Sequence, residues 1–359
     1  MKIRSILHLI FLNSVITICL FLFTDFVITK ITNPSTDYDE INKGLRIQNE
    51  FYHHGLKPMY SGKDVWGGNI YNYCTDINGF RTSCQNKDLK KKSFDILIIG
   101  DSVTEALGVS YNDSYVGVFS NYFSELAIAN AGVSSYSTII YLNKIKKLIE
   151  EGVSFKHLFV MIDISDIQDD GARYIFDSKY NVIDTHSPIP KKEKSKLNKL
   201  ILDNFHYTIS FYRFIRYKII KPEIPINLDR SSWTFNSDVS NYGFGGLSVA
   251  KEKSLSYMEE LYNFLKFKNI ELSVGVYPLP DQIFNDDLKI NAHAELWQNF
   301  CINKCKFFFN LFEDFNDYRM THGSDKLYND FYIYGDVHFN QKGNNFLANS
   351  LIEKFKNNY

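Results

Sequence analysis

Apolar residues along this chain fall into three arrangements. The first is a run from Ile6 to Phe23, broken only by His8, Asn13, Ser14 and Thr17, which is long enough to cross a bilayer as one helix. The second begins near residue 94, where short β-branched runs alternate with longer stretches of helical period. It predicts a strand at 94–99, a helix around 113–125, a strand around 126–130, a helix around 137–150 and a strand at 157–163. After an interruption it resumes with a helix around 247–268, a strand at 270–277, a helix around 290–302 and a strand at 307–311. A last helix starts near Asn340 and shows an apolar face through Phe346, Leu347, Leu351, Ile352 and Phe355. The third arrangement is the lack of any strong period in 31–90, where Asn78-Gly79 marks a turn.

Strands alternating with helices, with no internal repeat, predict an α/β fold: one three-layer α/β/α domain on a flavodoxin-like parallel sheet. The expected organisation is a signal anchor or transmembrane helix at 1–30, an extended segment packed on the domain at 31–90, and the domain itself at 91–359. An insert at about 165–245 breaks the rhythm. It holds the Lys-rich run 190–196, the aromatic stretch Phe205 to Tyr217 and a Gly-rich Tyr242-Gly243-Phe244-Gly245-Gly246. Lying over the carboxyl end of the sheet, such an insert would form a lid or an acceptor-binding wall.

The apolar run lacks a small-residue cleavage site near Thr24-Asp25-Phe26, so it reads as uncleaved, a cleaved secretory signal being the alternative. Lys2 and Arg4 keep the N-terminus cytoplasmic and put the remainder on the outer side of the membrane, against a weaker opposing bias from Lys30. A net charge of −1 gives no basic field for nucleic acid. The 24 Tyr and 30 Phe suit sugar-binding clefts and ordinary cores alike. Cys19 lies in the apolar run, which leaves Cys74 and Cys84, and Cys301 and Cys305, as two close pairs. Neither has a zinc-like spacing, whereas an exported domain favours disulfides. Adjacent histidines such as His53 and His54 point in different directions in an extended chain, so no metal and no cofactor is expected.

Candidate chemistry sits at the two ends of the α/β part. Phe94-Asp95-Ile96-Leu97-Ile98-Ile99 is apolar except at Asp95 and stops at Gly100-Asp101-Ser102, which leaves Ser102 at the carboxyl end of a buried strand, where ligands of open α/β sheets bind. A serine hydroxyl needs a base to take its proton, and the base needs an orienting partner. Asp336 and His338, in Tyr334-Gly335-Asp336-Val337-His338-Phe339-Asn340, supply both from one loop ahead of the last helix.

In these blocks the sequence resembles the SGNH/GDSL family of esterases and acyltransferases over roughly residues 90–359. The resemblance implies Ser102 as nucleophile, His338 as base and Asp336 as acid. It implies an oxyanion hole built from the N–H groups of Ser102 and Gly132, the latter in Ile128-Ala129-Asn130-Ala131-Gly132-Val133-Ser134. Two departures stand out. In Asp163-Ile164-Ser165-Asp166, Ser165 replaces the family's oxyanion-binding asparagine, and it reads equally as a helix cap. The acid lies two residues before the histidine, a spacing found in membrane-associated polysaccharide acyltransferase relatives. Members found with surface-polysaccharide genes also carry Tyr-His-His segments like Tyr52-His53-His54. The resemblance therefore implies acyl transfer from an acylated, acetyl-bearing surface glycan to water or to a sugar hydroxyl. A transferase would need a membrane protein as acyl donor. The rival reading is a non-catalytic glycan-binding or assembly protein with the same fold.

Overall fold

A computed structural model of the chain describes residues 2–32, 41–86, 90–185, 200–201, 204–220, 231–236, 241–288 and 291–357. The Lys-rich run 190–196 lies outside the described residues. The chain forms two compact units, Met1–Ile41 with Pro188–Pro222, and Asn42–Ser187 with Glu223–Tyr359. Residues from 42 onward group with the α/β body, and part of the insert groups with the N-terminal helix.

The smaller unit is built on helix α1, Lys2–Thr32. Its stretch Ile6–Thr32, in which 18 successive residues reach a mean hydropathy of 2.4, is long and apolar enough to cross a membrane, as an anchor or as a signal sequence. Near its end Asp25 is buried, and its carboxylate accepts the N–H groups of Tyr207 (3.0 Å) and Thr208 (2.7 Å) and the Thr29 hydroxyl (2.9 Å). The acidic residue thereby satisfies the amino end of the helix His206–Phe214.

The larger unit contains a sheet of eight strands. After a separate hairpin of β1 (Arg46–Asn49) and β2 (His53–Leu56) come β3 (Ser61–Trp66), β4 (Asn69–Thr75) and β5 (Arg81–Thr82), all antiparallel. The segment expected to be merely extended is thus strand-forming. Its signal was Gly67-Gly68: Trp66 pairs with Asn69, and both glycines have positive φ, 55° and 80°, as a two-residue type I′ hairpin requires.

The parallel strands are β6 (Ser93–Gly100), β7 (Ile128–Asn130), β8 (Ser154–Ile162), β11 (Glu271–Val276) and β12 (Phe307–Asn310); β9 (Tyr174–Phe176) and β10 (Val182–Asp184) form a small hairpin apart. Sheet order is β12-β11-β8-β6-β7-β5-β4-β3, so the parallel part has the flavodoxin order and its switch point lies at β6. Right-handed crossovers from that order put the helix after β6 on one face and those after β7, β8 and β11 on the other. The helix packing agrees. Besides the short α2 (Ser102–Glu105), α3 (Tyr115–Tyr122) packs on the last helix, and α4 (Thr138–Glu150) packs on the long helix Gly246–Phe267. α4 does so because Ile139, Ile140, Leu142, Ile145 and Leu148 recur on one face and are buried.

The chain after β8 continues into α5 (Asp166–Gln168), and the helix Gly246–Phe267 becomes α6. Next come α7 (Ala292–Cys301), α8 (Phe312–His322), α9 (Ser324–Phe331) and α10 (Gln341–Lys356). α10 starts where Asn340 caps it through the Gly343 N–H (2.9 Å), and buries Leu347, Leu351, Ile352 and Phe355. Disulfides join Cys74 to Cys84 and Cys301 to Cys305.

Candidate active site

Strand β6 delivers Ser102 to the carboxyl edge of the sheet at the switch point. Asp101 turns the chain there by capping α2, with Oδ1 accepting the Val103 N–H at 3.0 Å. Ser102 Oγ lies 2.8 Å from His338 Nε2 and 3.0 Å from Asp101 Oδ2. Being the first residue of α2, Ser102 has an N–H with no partner inside the helix.

The loop between α9 and α10 brings the other two residues. His338 Nδ1 is hydrogen-bonded to Asp336 Oδ1, and the same oxygen accepts the His338 N–H at 3.0 Å. An imidazole held this way carries its proton on Nδ1 and turns a basic Nε2 toward the serine. Buried Tyr328 fixes the loop from beneath: its hydroxyl accepts the N–H groups of Gly335 (2.8 Å) and Asp336 (3.2 Å). Asp336 Oδ2 accepts the indole N–H of Trp66 at 2.9 Å. Burial works to raise the Asp336 carboxyl, but the His338 and Trp66 hydrogen bonds overcome it and hold the group below the usual carboxylate range. The structure thus brings Ser102, His338 and Asp336 into one chain of hydrogen bonds on a cleft of about 320 Å³ that Trp66, Ser134, Ser135, Ser165 and Asp169 also line.

The expected oxyanion donors fare differently. The Gly132 N–H donates to Asn130 Oδ1 at 2.9 Å, while Asn130 Nδ2 donates to the Thr104 carbonyl at 2.7 Å. Gly132 does not line the cleft, and glycine is needed there for another reason: a Cβ would sit 2.5 Å from Thr104 Cγ2 and 2.9 Å from the Glu105 nitrogen. Ser165 does line the cleft, yet its hydroxyl donates to Asp163 Oδ1 at 2.7 Å, as does its N–H at 2.6 Å. It occupies the N-cap position of α5 without a capping bond from its side chain.

Beneath the serine lies a buried acidic pair. Asp101 and Asp163 are hydrogen-bonded to one another, and Tyr277 donates to Asp101 Oδ1 at 3.0 Å. Burial first, and the charge of Asp163 second, push the Asp101 carboxyl well above its usual range. Asp163 belongs to the block read for Ser165, so the pair was in view in the sequence but not its contact.

A second network holds the wall of the cleft. Glu105 is fully buried and accepts Arg46 through both guanidinium nitrogens (2.8 and 3.1 Å), the Tyr73 hydroxyl (2.8 Å) and the Ser134 N–H (2.6 Å). His54 Nε2 bonds to the Ser134 carbonyl at 2.8 Å, and its Nδ1 meets His53 Nδ1 at 2.7 Å. These histidines are committed to the loop and to each other. Among the described residues, no three or more His, Cys, Asp and Glu side chains gather into a group that could hold a metal ion.

No family model and no curated protein matches the sequence. Solved structures similar to it include a member of the lipolytic protein G-D-S-L family from Veillonella parvula, at 12% identity and TM-score 0.40, covering 73% of this chain and 98% of that one. The psychrotrophic esterase EstA from Pseudoalteromonas sp. has 10% identity and TM-score 0.36, covering 74% of this chain and 98% of its own. A catalytic mutant of Axe2, an acetylxylan esterase from Geobacillus stearothermophilus, has 12% identity and TM-score 0.40, covering 74% and 96%.

Proposed function

We propose that this protein is a serine-dependent acyl-ester hydrolase or O-acyltransferase of SGNH/GDSL type that works through an acyl-Ser102 intermediate. The observation that carries the reading is the unbroken line Ser102 Oγ, His338 Nε2, His338 Nδ1, Asp336 Oδ1 at the switch point of a parallel sheet. Ser102 Oγ attacks the ester carbonyl as its proton passes to His338 Nε2, and Asp336 stabilises the imidazolium. The Ser102 N–H faces the developing oxyanion. Collapse expels the alcohol, which takes the proton back from His338. A second hydroxyl, of water or of a sugar, then gives its proton to His338 and attacks the acyl-serine, and collapse breaks the bond to Ser102 Oγ, which takes that proton back from His338.

The substrate we propose is an acetylated glycan outside the cytoplasm. Polar cleft residues such as Ser134, Ser135 and Asp169 beside an aromatic Trp66 suit a hydroxyl-rich ligand. Two disulfides and an apolar N-terminal helix suit a domain held on the outer side of a membrane. If the acceptor is a sugar, the acetyl donor reaches the site through a membrane protein, because one span cannot carry a cytoplasmic thioester across.

The test uses the full chain in detergent or nanodiscs. A fluorophosphonate should label Ser102 and abolish turnover of p-nitrophenyl acetate, and Ser102→Ala should take neither label nor substrate. Absence of labelling in a folded wild-type protein would leave a glycan-binding role instead.

A further inference from the structure

Trp66 comes from outside the parallel sheet yet touches two of the three proposed catalytic side chains. It ends the edge strand β3, and its Nε1–H donates at 2.9 Å to the Asp336 oxygen that His338 does not use. Its ring meets the His338 imidazole edge-on, with centroids 5.0 Å apart and planes at 79°. The hairpin tip is pressed on the same loop: a Cβ on Gly67 would lie 2.5 Å from Ile333 Cγ2. Position, donor and ring are thus all registered against the loop that carries Asp336 and His338.

We infer that Trp66 is a positioning residue, which fixes the Asp336 carboxylate plane and tempers its charge so that the imidazole is held as base for Ser102. The inference rests on the serine-hydrolase reading above. A carboxylate bonded through one oxygen can rotate about its Cβ–Cγ bond and trade partners, whereas a second donor on the other oxygen fixes the plane. An indole N–H suits this place because it can only donate and has no tautomer to choose. By drawing electron density from Oδ2 it also weakens the pull of Oδ1 on the His338 proton. Other titratable groups around the pair are Asp101 across Ser102, Asp169 on the cleft wall, and Tyr328 and Tyr334 about Asp336.

Trp66→Phe keeps the ring and removes the donor. In the full-length protein it should lower kcat roughly five- to twentyfold with KM within about twofold, since the lost contact acts on the base rather than on bound substrate. Asp336 then carries more charge on Oδ1, the imidazolium is better stabilised, and the acidic limb of the kcat/KM profile moves to higher pH. Wild-type protein grown on 4-fluorotryptophan, whose N–H is more acidic, should move that limb the other way, and this arm works even where Trp66→Phe fails to fold. An unmoved limb in both samples, or a KM effect alone, overturns the inference. Ser102→Ala and His338→Ala run alongside: activity in either one would overturn the hydrolase reading itself.

Discussion

Asp101 and Asp163 lie side by side, hydrogen-bonded and buried directly beneath the proposed nucleophile. Two carboxyls so close cannot both ionise cheaply, so the pair holds a shared proton above the usual carboxylate range. Raised above its unfolded value of 3.8, the Asp101 carboxyl gives stability that is whole at lower pH and is lost as pH rises through the folded value. Asp163→Asn removes the like charge and leaves an amide to donate to Asp101. The variant should match wild type near pH 4 and become the more stable of the two as pH rises, with a slope difference of up to about 1.4 kcal/mol per pH unit for one proton. Thermal melts across pH 4–8 measure it, and parallel curves would mean that the pair does not share a proton.

Ser165 stands where an oxyanion donor was expected, but its one hydroxyl proton is spent on Asp163. Loss of a working oxyanion donor costs about 3 kcal/mol in kcat. Ser165→Ala should therefore reduce kcat by less than tenfold, because Asp163 retains the Ser165 N–H at 2.6 Å. Ser165→Asn places an amide at the cleft and should hold or raise kcat. A loss of a hundredfold or more in Ser165→Ala, with an unchanged melting temperature, would make the hydroxyl a working donor that turns toward substrate.

The parts legible in the sequence are those governed by local pattern. β6 was readable as an apolar run ending in Gly100-Asp101-Ser102, and α10 as Asn340 followed by an amphipathic face, because burial and capping act within a few residues. Their union was readable only through the chemical need of a serine for a base. Trp66 was not readable as a partner of Asp336. Its hairpin could be inferred from Gly67-Gly68, but which loop the tip touches depends on three antiparallel strands extending the sheet past β7. At Gly132 a second reason for glycine was hidden from the sequence: close packing on Thr104 leaves no room for a Cβ, beside the donor role that the resemblance implies for its N–H.

Three histidines, His157 and His293 buried and His54 half-buried, set the acid limit of the fold. His54, His157 and His293 are each pushed down to about 4, foremost by burial. Depressed below the ordinary 6.5, they give stability that is present above that value and lost as pH falls through about 4. Each contributes at most about 3 kcal/mol over that window. His157 is the cleanest probe, since it bonds Ser273 Oγ at 2.8 Å and lies far from the cleft lining. His157→Gln should lose less melting temperature than wild type between pH 6.5 and 4.5, read by calorimetry; an equal loss would show that the imidazole is not a source of the acid sensitivity.

The Arg46–Glu105 pair links the N-terminal strands to the cleft wall, and it is the fully buried partner that makes it consequential. Burial works to raise the Glu105 carboxyl, and Arg46 overcomes it and holds the group below its usual value. Removing one member of such a pair strands a buried charge, at a cost of several kcal/mol, while exchanging both for neutral groups of similar size is often close to neutral. Arg46 is 36% exposed on its side chain, which lets water screen part of the effect. Arg46→Met should therefore destabilise by about 2–3 kcal/mol, and Arg46→Met with Glu105→Gln should recover at least half of that loss, a coupling that a double-mutant cycle measures directly. Glu105 also holds the Ser134 N–H, so the single variant should lose ester turnover per folded molecule as the loop at 134–135 loosens, and Glu105→Gln alone should lose less because its amide oxygen still accepts that N–H. Additive stabilities in the cycle would reduce the pair to a surface contact and leave the cleft wall to His54 and the Ser134 carbonyl.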